Sequence, residues 1–181
     1  NMCITLLEAG PRVLPALSEK IASEVHQQLL KLGVQVKLNA AVETITAEGM
    51  HIKSGEFIPA SLKVWAAGVR GPKFLTELDG LTTNRINQLV VRTTLQTTLD
   101  DDIFALGDCA ACPLSEGSDK NVPPRAQSAH QQASFLNKAL ALKLQGKALP
   151  RYQYRDYGSL VSLSNYSAVG NIMGGFMRTV N

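Results

Sequence analysis

Two short stretches hold most of the residues able to do chemistry. Gly107-Asp108 follows the apolar run Ile103-Phe104-Ala105-Leu106 with no residue between. That places a carboxylate at the carboxyl edge of a buried strand, where open α/β sheets bind ligands. A sugar or ribityl hydroxyl is its natural partner, and an aspartate that caps the following turn is the alternative. Further on, Ala126-Gln127-Ser128-Ala129-His130-Gln131 opens a helical pattern just after Pro123-Pro124. Gln127 and Gln131 stand four apart and share one face, with Ala126 and Ala129 keeping the neighbouring surface low. A flat ligand taking amide hydrogen bonds could approach there, although a polar helix face turned to water has the same composition.

Three other features invite a role. Glu8 ends the apolar run Met2 to Leu7, the position at which nucleotide-binding folds use a carboxylate to accept from ribose hydroxyls; a solvated turn residue reads the same way. Cys109-Ala110-Ala111-Cys112 has the spacing of a redox couple or of half a zinc site. A structural zinc usually takes four ligands, and Cys3, His26, His51 and His130 offer no second pair, so two small buried residues after the aspartate turn is the favoured reading and no metal is expected. His130 is three positions from Gln127 on a Gln-rich helix and receives no role.

The elements that must position these residues follow from the pattern. Met2 to Leu7 reads as a buried strand stopped by Glu8-Ala9-Gly10-Pro11. Ser18 to Leu32 reads as an amphipathic helix with Ser18 as N-cap, Ile21, Val25, Leu29 and Leu32 on one face, and Gly33 as the stop. Val34 to Leu38 is a short strand, Val42 to Ile58 a set of hairpin strands turning at Glu48-Gly49 and Ser54-Gly55, and Leu62 to Ala67 another buried strand. Beyond Gly68 the pattern predicts strands at Gln88 to Val91 and Ile103 to Leu106, a helix over Pro124 to Gln145 stopped by Gly146 and Pro150, and strands within Tyr152 to Met173. Strand, helix, strand, antiparallel excursion and strand make the second half of a doubly wound nucleotide-binding domain, an α/β fold.

The 181 residues are 45% hydrophobic, enough for one sizeable core or two small ones. A net charge of +3 with scattered Lys and Arg does not suit nucleic acid, and no apolar run reaches bilayer-spanning length. Three cysteines are too few for a disulfide framework. The chain opens on a strand pattern and closes on Gly170 to Asn181 without a final helix, so it is expected to be a piece of a longer protein.

Leu6 to Pro15 (LLEAGPRVLP), Val64 to Gly68 (VWAAG), Ile103 to Ala110 (IFALGDCA) and AQSAHQ occur in the order found in type II NADH dehydrogenases, and the last matches that family's AQxAxQ signature. The chain thus resembles, from end to end, the bacterial respiratory NADH:quinone oxidoreductases of the two-dinucleotide-binding-domain flavoprotein superfamily. The first three motifs are common to the superfamily, and AQxAxQ is the specific one. The resemblance implies truncated portions of two Rossmann-like domains of three-layer β/β/α type, residues 1–67 from the NADH-binding domain and 68–181 from the FAD-binding domain with its quinone-site helix.

It also implies roles. Glu8 matches the acidic residue on the NADH adenosine ribose, and Ala67-Gly68 matches the turn returning the chain to the FAD domain. Gly107-Asp108 matches the motif on the FAD ribityl chain. Ala126 and Gln127 begin the helix whose positive end faces the flavin, and Gln127 and Gln131 match the glutamines beside the quinone. FAD and NAD are the implied cofactors, with NADH and membrane quinone as substrates and no catalytic side chain required. Implied too are attachment to the cytoplasmic face of the bacterial inner membrane through a C-terminal region not in this sequence, and room for a homodimer. No GxGxxG turn is present, so the chain alone is expected to be inactive and to hold neither cofactor. A flavin disulfide reductase or sulfide:quinone reductase, using Cys109 and Cys112, is the competing enzyme class. An inert, self-associating piece is the non-enzyme alternative.

Overall fold

A computed structural model of the chain describes residues 3–162, 167–172 and 175–180. Two compact units divide it: residues 1–65 together with 156–181, and residues 66–155. The sequence division instead keeps 68–181 together.

In the first unit β1 (Ile4–Leu7) and β2 (Val34–Lys37) pair in parallel, Ile4 opposite Val34 and Leu7 opposite Lys37, with α1 (Glu19–Lys31) as the crossover. A parallel pair needs such a connection because its strands run the same way. Ser18 caps α1, its hydroxyl oxygen accepting from Ile21 N at 3.5 Å, while Glu19 in the first turn and Lys31 in the last complement the helix dipole. Val13, Ile21 and Val25 are buried beneath the pair, packed by Leu6, Leu29 and Val36. Arg12 donates to the carbonyls of Leu17 at 2.8 Å and Pro15 at 2.9 Å, which pins the loop between β1 and α1.

β3 (Val42–Ile45), β4 (Gly49–Ile52) and β5 (Phe57–Pro59) form the expected antiparallel meander around Ala40, Ile52 and Ile58. Gly49 is required there: a Cβ would fall 2.2 Å from the Ile58 carbonyl oxygen. The predicted buried strand over Leu62 to Ala67 is not formed. Leu62, Val64 and Trp65 are 80%, 76% and 63% exposed, and no strand among the described residues pairs with them. Apolar composition alone does not make a strand, because its N–H and C=O groups also need a neighbour.

The second unit is built on turns. A 3-10 turn spans Lys73–Glu77, and β6 (Leu89–Val90) runs parallel to β7 (Ala110–Ala111). At Ile103 to Leu106 the one ladder contact among the described residues is a bridge from Phe104 to Gln96, and Ile103 is 39% exposed. The expected buried strand is thus reduced to one bridge. The core gathers Leu75, Leu89, Val91, Leu95, Ala105, Cys112 and Tyr152. α2 (Ala126–Leu144) packs Phe135 and Leu136 onto it and ends before Gly146. The tail forms an antiparallel sheet of β8 (Gly158–Ser162), β9 (Ser167–Ile172) and β10 (Gly175–Val180), which belongs to the first unit.

Candidate functional site

Leu106 leads into a 3-10 turn at Gly107–Cys109. Gly107 has φ +69°, a left-handed value that L side chains adopt with strain. A Cβ there would sit 3.5 Å from the Ala129 methyl on α2, so the turn and the helix meet backbone to small side chain. The smallness of Ala129, read from sequence as clearance for a flat ligand, is used against Gly107. Asp108 is exposed, and its carboxylate has no protein donor among the described residues.

The turn is tied from both sides by residues the sequence reading passed over. Gln132, 2% exposed, accepts the Gly107 N–H on Oε1 at 2.6 Å, and Gln88, 6% exposed, donates from Nε2 to the Asp108 carbonyl at 2.9 Å. The missed signal was Gln132 itself. It directly follows the AQSAHQ stretch, and helical spacing sets it on the Ser128 side, which is buried.

α2 begins without a side-chain cap: Arg125 occupies the N-cap position but makes no capping hydrogen bond, and the first turn carries no acid. The first turn thus supplies no acidic side chain of its own to complement the positive end of the helix dipole. Ala126 is exposed and Gln127 half-buried in this turn. Gln131 lies one turn on and faces an open groove of about 330 Å³ that Phe135, Tyr152 and Arg155 also line. Its Nε2 donates to the Arg155 carbonyl at 2.9 Å and its Oε1 accepts the Arg155 N–H at 3.0 Å. The structure therefore joins Gly107, Asp108 and α2, and puts Gln131, but not Gln127, on the groove.

Glu8 is half-buried in the first unit. It extends the β1–β2 ladder through its own N–H to Lys37, and one carboxylate oxygen accepts from Gly10 N at 2.7 Å. That oxygen does turn work. Ala67 and Gly68 are exposed, Gly68 with φ +99°.

The cysteines form no disulfide among the described residues. All three are free, Cys109 donates to the Leu106 carbonyl, and Cys112 is fully buried, its thiol pushed up to about 11 by burial. Nearby Tyr152 is pushed up to about 12, first by burial and then by Cys112 and Tyr154. Among the described residues neither Tyr152 nor Tyr154 has a partner for its hydroxyl. Both raised groups ionise earlier in the unfolded chain than in the folded one. Their contribution to stability is therefore complete below the unfolded values of 9.0 and 10.0 and is lost as pH rises through the folded ones. Denaturant midpoints measured from neutrality upward should hold level and then fall above about pH 9. A midpoint that stays level to about pH 11 would show that these groups are not buried as described. Among the described residues no cluster of His, Cys, Asp or Glu could hold a metal, and no helix is long and apolar enough to cross a membrane.

Residues 1–133 match the family described as Pyridine nucleotide-disulphide oxidoreductase. Among curated proteins, the type II NADH:quinone oxidoreductase of Haemophilus influenzae is 48% identical over 96% of this chain, and that of Staphylococcus aureus is 33% identical over 94%. The chain spans 38% and 42% of those proteins' lengths. Among solved structures, NDH2 from Plasmodium falciparum in complex with NADH superposes with a TM-score of 0.80 at 18% identity, over 98% of this chain and 51% of that one. At that identity the likeness speaks for the fold, which is the α/β dinucleotide-binding fold expected from the sequence. On the family match, the chain belongs to the pyridine nucleotide-disulphide oxidoreductases.

Proposed function

We propose that this chain is part of a respiratory NADH:quinone oxidoreductase that passes a hydride from NADH to FAD and two electrons on to membrane quinone. The observation that carries the reading is the docking of the Gly107-Asp108 turn onto α2, which joins an exposed carboxylate to an uncapped helix N-terminus in one unit. The 48% identity to a protein of that activity supports it.

The residues present fit a flavin on their own chemistry. Asp108 offers an unengaged carboxylate to ribityl hydroxyls, and the close approach of Gly107 to Ala129 sets it beside α2. The first turn of α2, with Ala126 and Gln127, offers a positive dipole end to an electron-rich ring edge. A flavin, when bound, supplies the two-electron exchange between a hydride donor and a quinone. The protein groups bind and orient. Glu8, with one oxygen held by Gly10, keeps its second for the NADH ribose, and Ala67-Gly68 carries the chain from the NADH-binding to the FAD-binding portion. Gln131 walls the quinone groove and Gln127 stands one turn nearer the ring. Residues 1–67 and 68–181 are assigned to the NADH and FAD portions on this reading. The enzyme acts at the cytoplasmic face of the inner membrane as a peripheral protein.

The test is anaerobic titration of the full-length flavoprotein. NADH should bleach the flavin and added quinone restore its colour stoichiometrically. Bleaching without restoration by quinone, but with restoration by a disulfide, would replace this reading by the disulfide-reductase one.

The ribose assignment carries its own expectation. Substituting Glu8→Gln should narrow the preference for NADH over NADPH, since a 2′-phosphate beside a carboxylate is a like-charge contact. An unchanged ratio of the two kcat/KM values would remove Glu8 from the ribose site.

A further inference from the structure

Nothing in Asp108 itself fixes where its carboxylate stands: the residue is exposed, in a three-residue turn entered through a left-handed glycine. Its backbone is held from two directions. Gln132 on α2 takes the N–H of Gly107, and Gln88, just before β6, gives a hydrogen to the carbonyl of Asp108. Gln88 is itself braced, its Oε1 accepting from Asn84 Nδ2 at 2.9 Å while Asn84 Oδ1 accepts the N–H groups of Ile86 and Gln88, both at 3.0 Å.

Both glutamines lie in positions where an apolar side chain would be the cheaper occupant. A buried amide loses hydration and recovers it only through hydrogen bonds of good geometry. Here those bonds converge on two adjacent residues of one turn. One anchor comes from the helix carrying the AQSAHQ stretch and the other from the β6 side, so the turn can shift toward neither without breaking a buried bond.

We propose that Gln132 and Gln88 are positioning residues that hold the Asp108 carboxylate at a set place relative to the first turn of α2, and so set the affinity for flavin. The inference rests on the reading of Asp108 as a ribityl ligand. Gln132 acts through the Gly107 N–H and Gln88 through the Asp108 carbonyl, and neither touches the cofactor.

The experiment is a double-mutant cycle on FAD affinity, measured by quenching of flavin fluorescence on titrating the full-length apoprotein. Gln132→Met keeps the side-chain length and removes the acceptor. It should weaken FAD binding about tenfold in the parent, the scale of one hydrogen bond to a charged carboxylate that is no longer held in place. In an Asp108→Ala background it should weaken binding by less than about twofold, because the carboxylate it positions is gone. Equal loss in both backgrounds, or no loss in the parent, would overturn the proposal and leave Gln132 a packing residue. Unchanged affinity in Asp108→Ala alone would instead show that the ribityl reading had failed. Should Gln132→Met not fold, Gln88→Met taken through the same cycle decides by the same outcomes.

Discussion

Replacing Gln131 by Leu in the full-length protein is expected to cut quinone reduction roughly tenfold to a hundredfold while NADH still reduces the flavin at the parent rate. The amide of Gln131 exchanges two hydrogen bonds with the backbone of Arg155, and these tie α2 to the segment that forms the other wall of the groove. Leu offers neither bond, so that wall loses its tether where a planar acceptor would enter. The amide can also take one further partner, since Nε2 has a second hydrogen and Oε1 a second lone pair. Losing a hydrogen-bonding partner of this kind costs about 1–3 kcal/mol, which in quinone turnover is the stated range. Gly107 and Asp108 are not bonded to Gln131, so flavin should stay bound. Stopped flow separates the two half-reactions, and ferricyanide, a small soluble acceptor, should be reduced as before. Parent-like quinone turnover would leave AQSAHQ a polar helix face.

A second large effect is expected in the core of the same unit. Leu95 is wholly buried among Val91, Ala105, Cys112 and Tyr152, and it sits at φ +66° in a tight turn closed by its N–H on the Arg92 carbonyl. Leu95→Ala leaves the strained backbone, because alanine still has a Cβ, and removes the packing that holds it there. A loss of about 2–5 kcal/mol is expected, toward the upper end if the turn cannot collapse into the space. For a domain of ordinary stability, about 5–15 kcal/mol, that is a large share of the total. Denaturant unfolding of parent and variant measures it. A loss below about 1 kcal/mol would mean that the turn relaxes to fill the cavity.

What could be read in advance depended on whether a signal was local. Ser18 and Gly33 bound α1 as expected, and the turns at Glu48-Gly49 and Ser54-Gly55 joined the strands that the alternation implied. Each of those elements is specified by its own residues. Leu62 to Ala67 failed because a strand is a relation between two segments, and one segment's composition cannot report its partner. In the candidate site, the place of Asp108 directly after an apolar run could be read from the sequence, although that run makes a bridge rather than a strand. Gln132 was not, because a glutamine in a helix usually signals solvent. Its burial follows from the approach of Gly107 to Ala129, which joins residues 22 positions apart. The occupation of Gln131 by the Arg155 backbone was hidden for the same reason, with 24 positions between them.

The tail strands β8 to β10 belong to the same compact unit as the βαβ start of the chain, with residues 66–155 between. During synthesis, at about 5–20 residues per second, the inserted unit can close as soon as it clears the ribosome, since everything it needs is contiguous. The other unit is divided by that insert, so α1 and its two strands are made several seconds before the tail strands that share their unit. Over that interval α1 lacks the contact with β9 that it makes in the finished unit, so this divided unit stays open to misassembly for longer than the contiguous one.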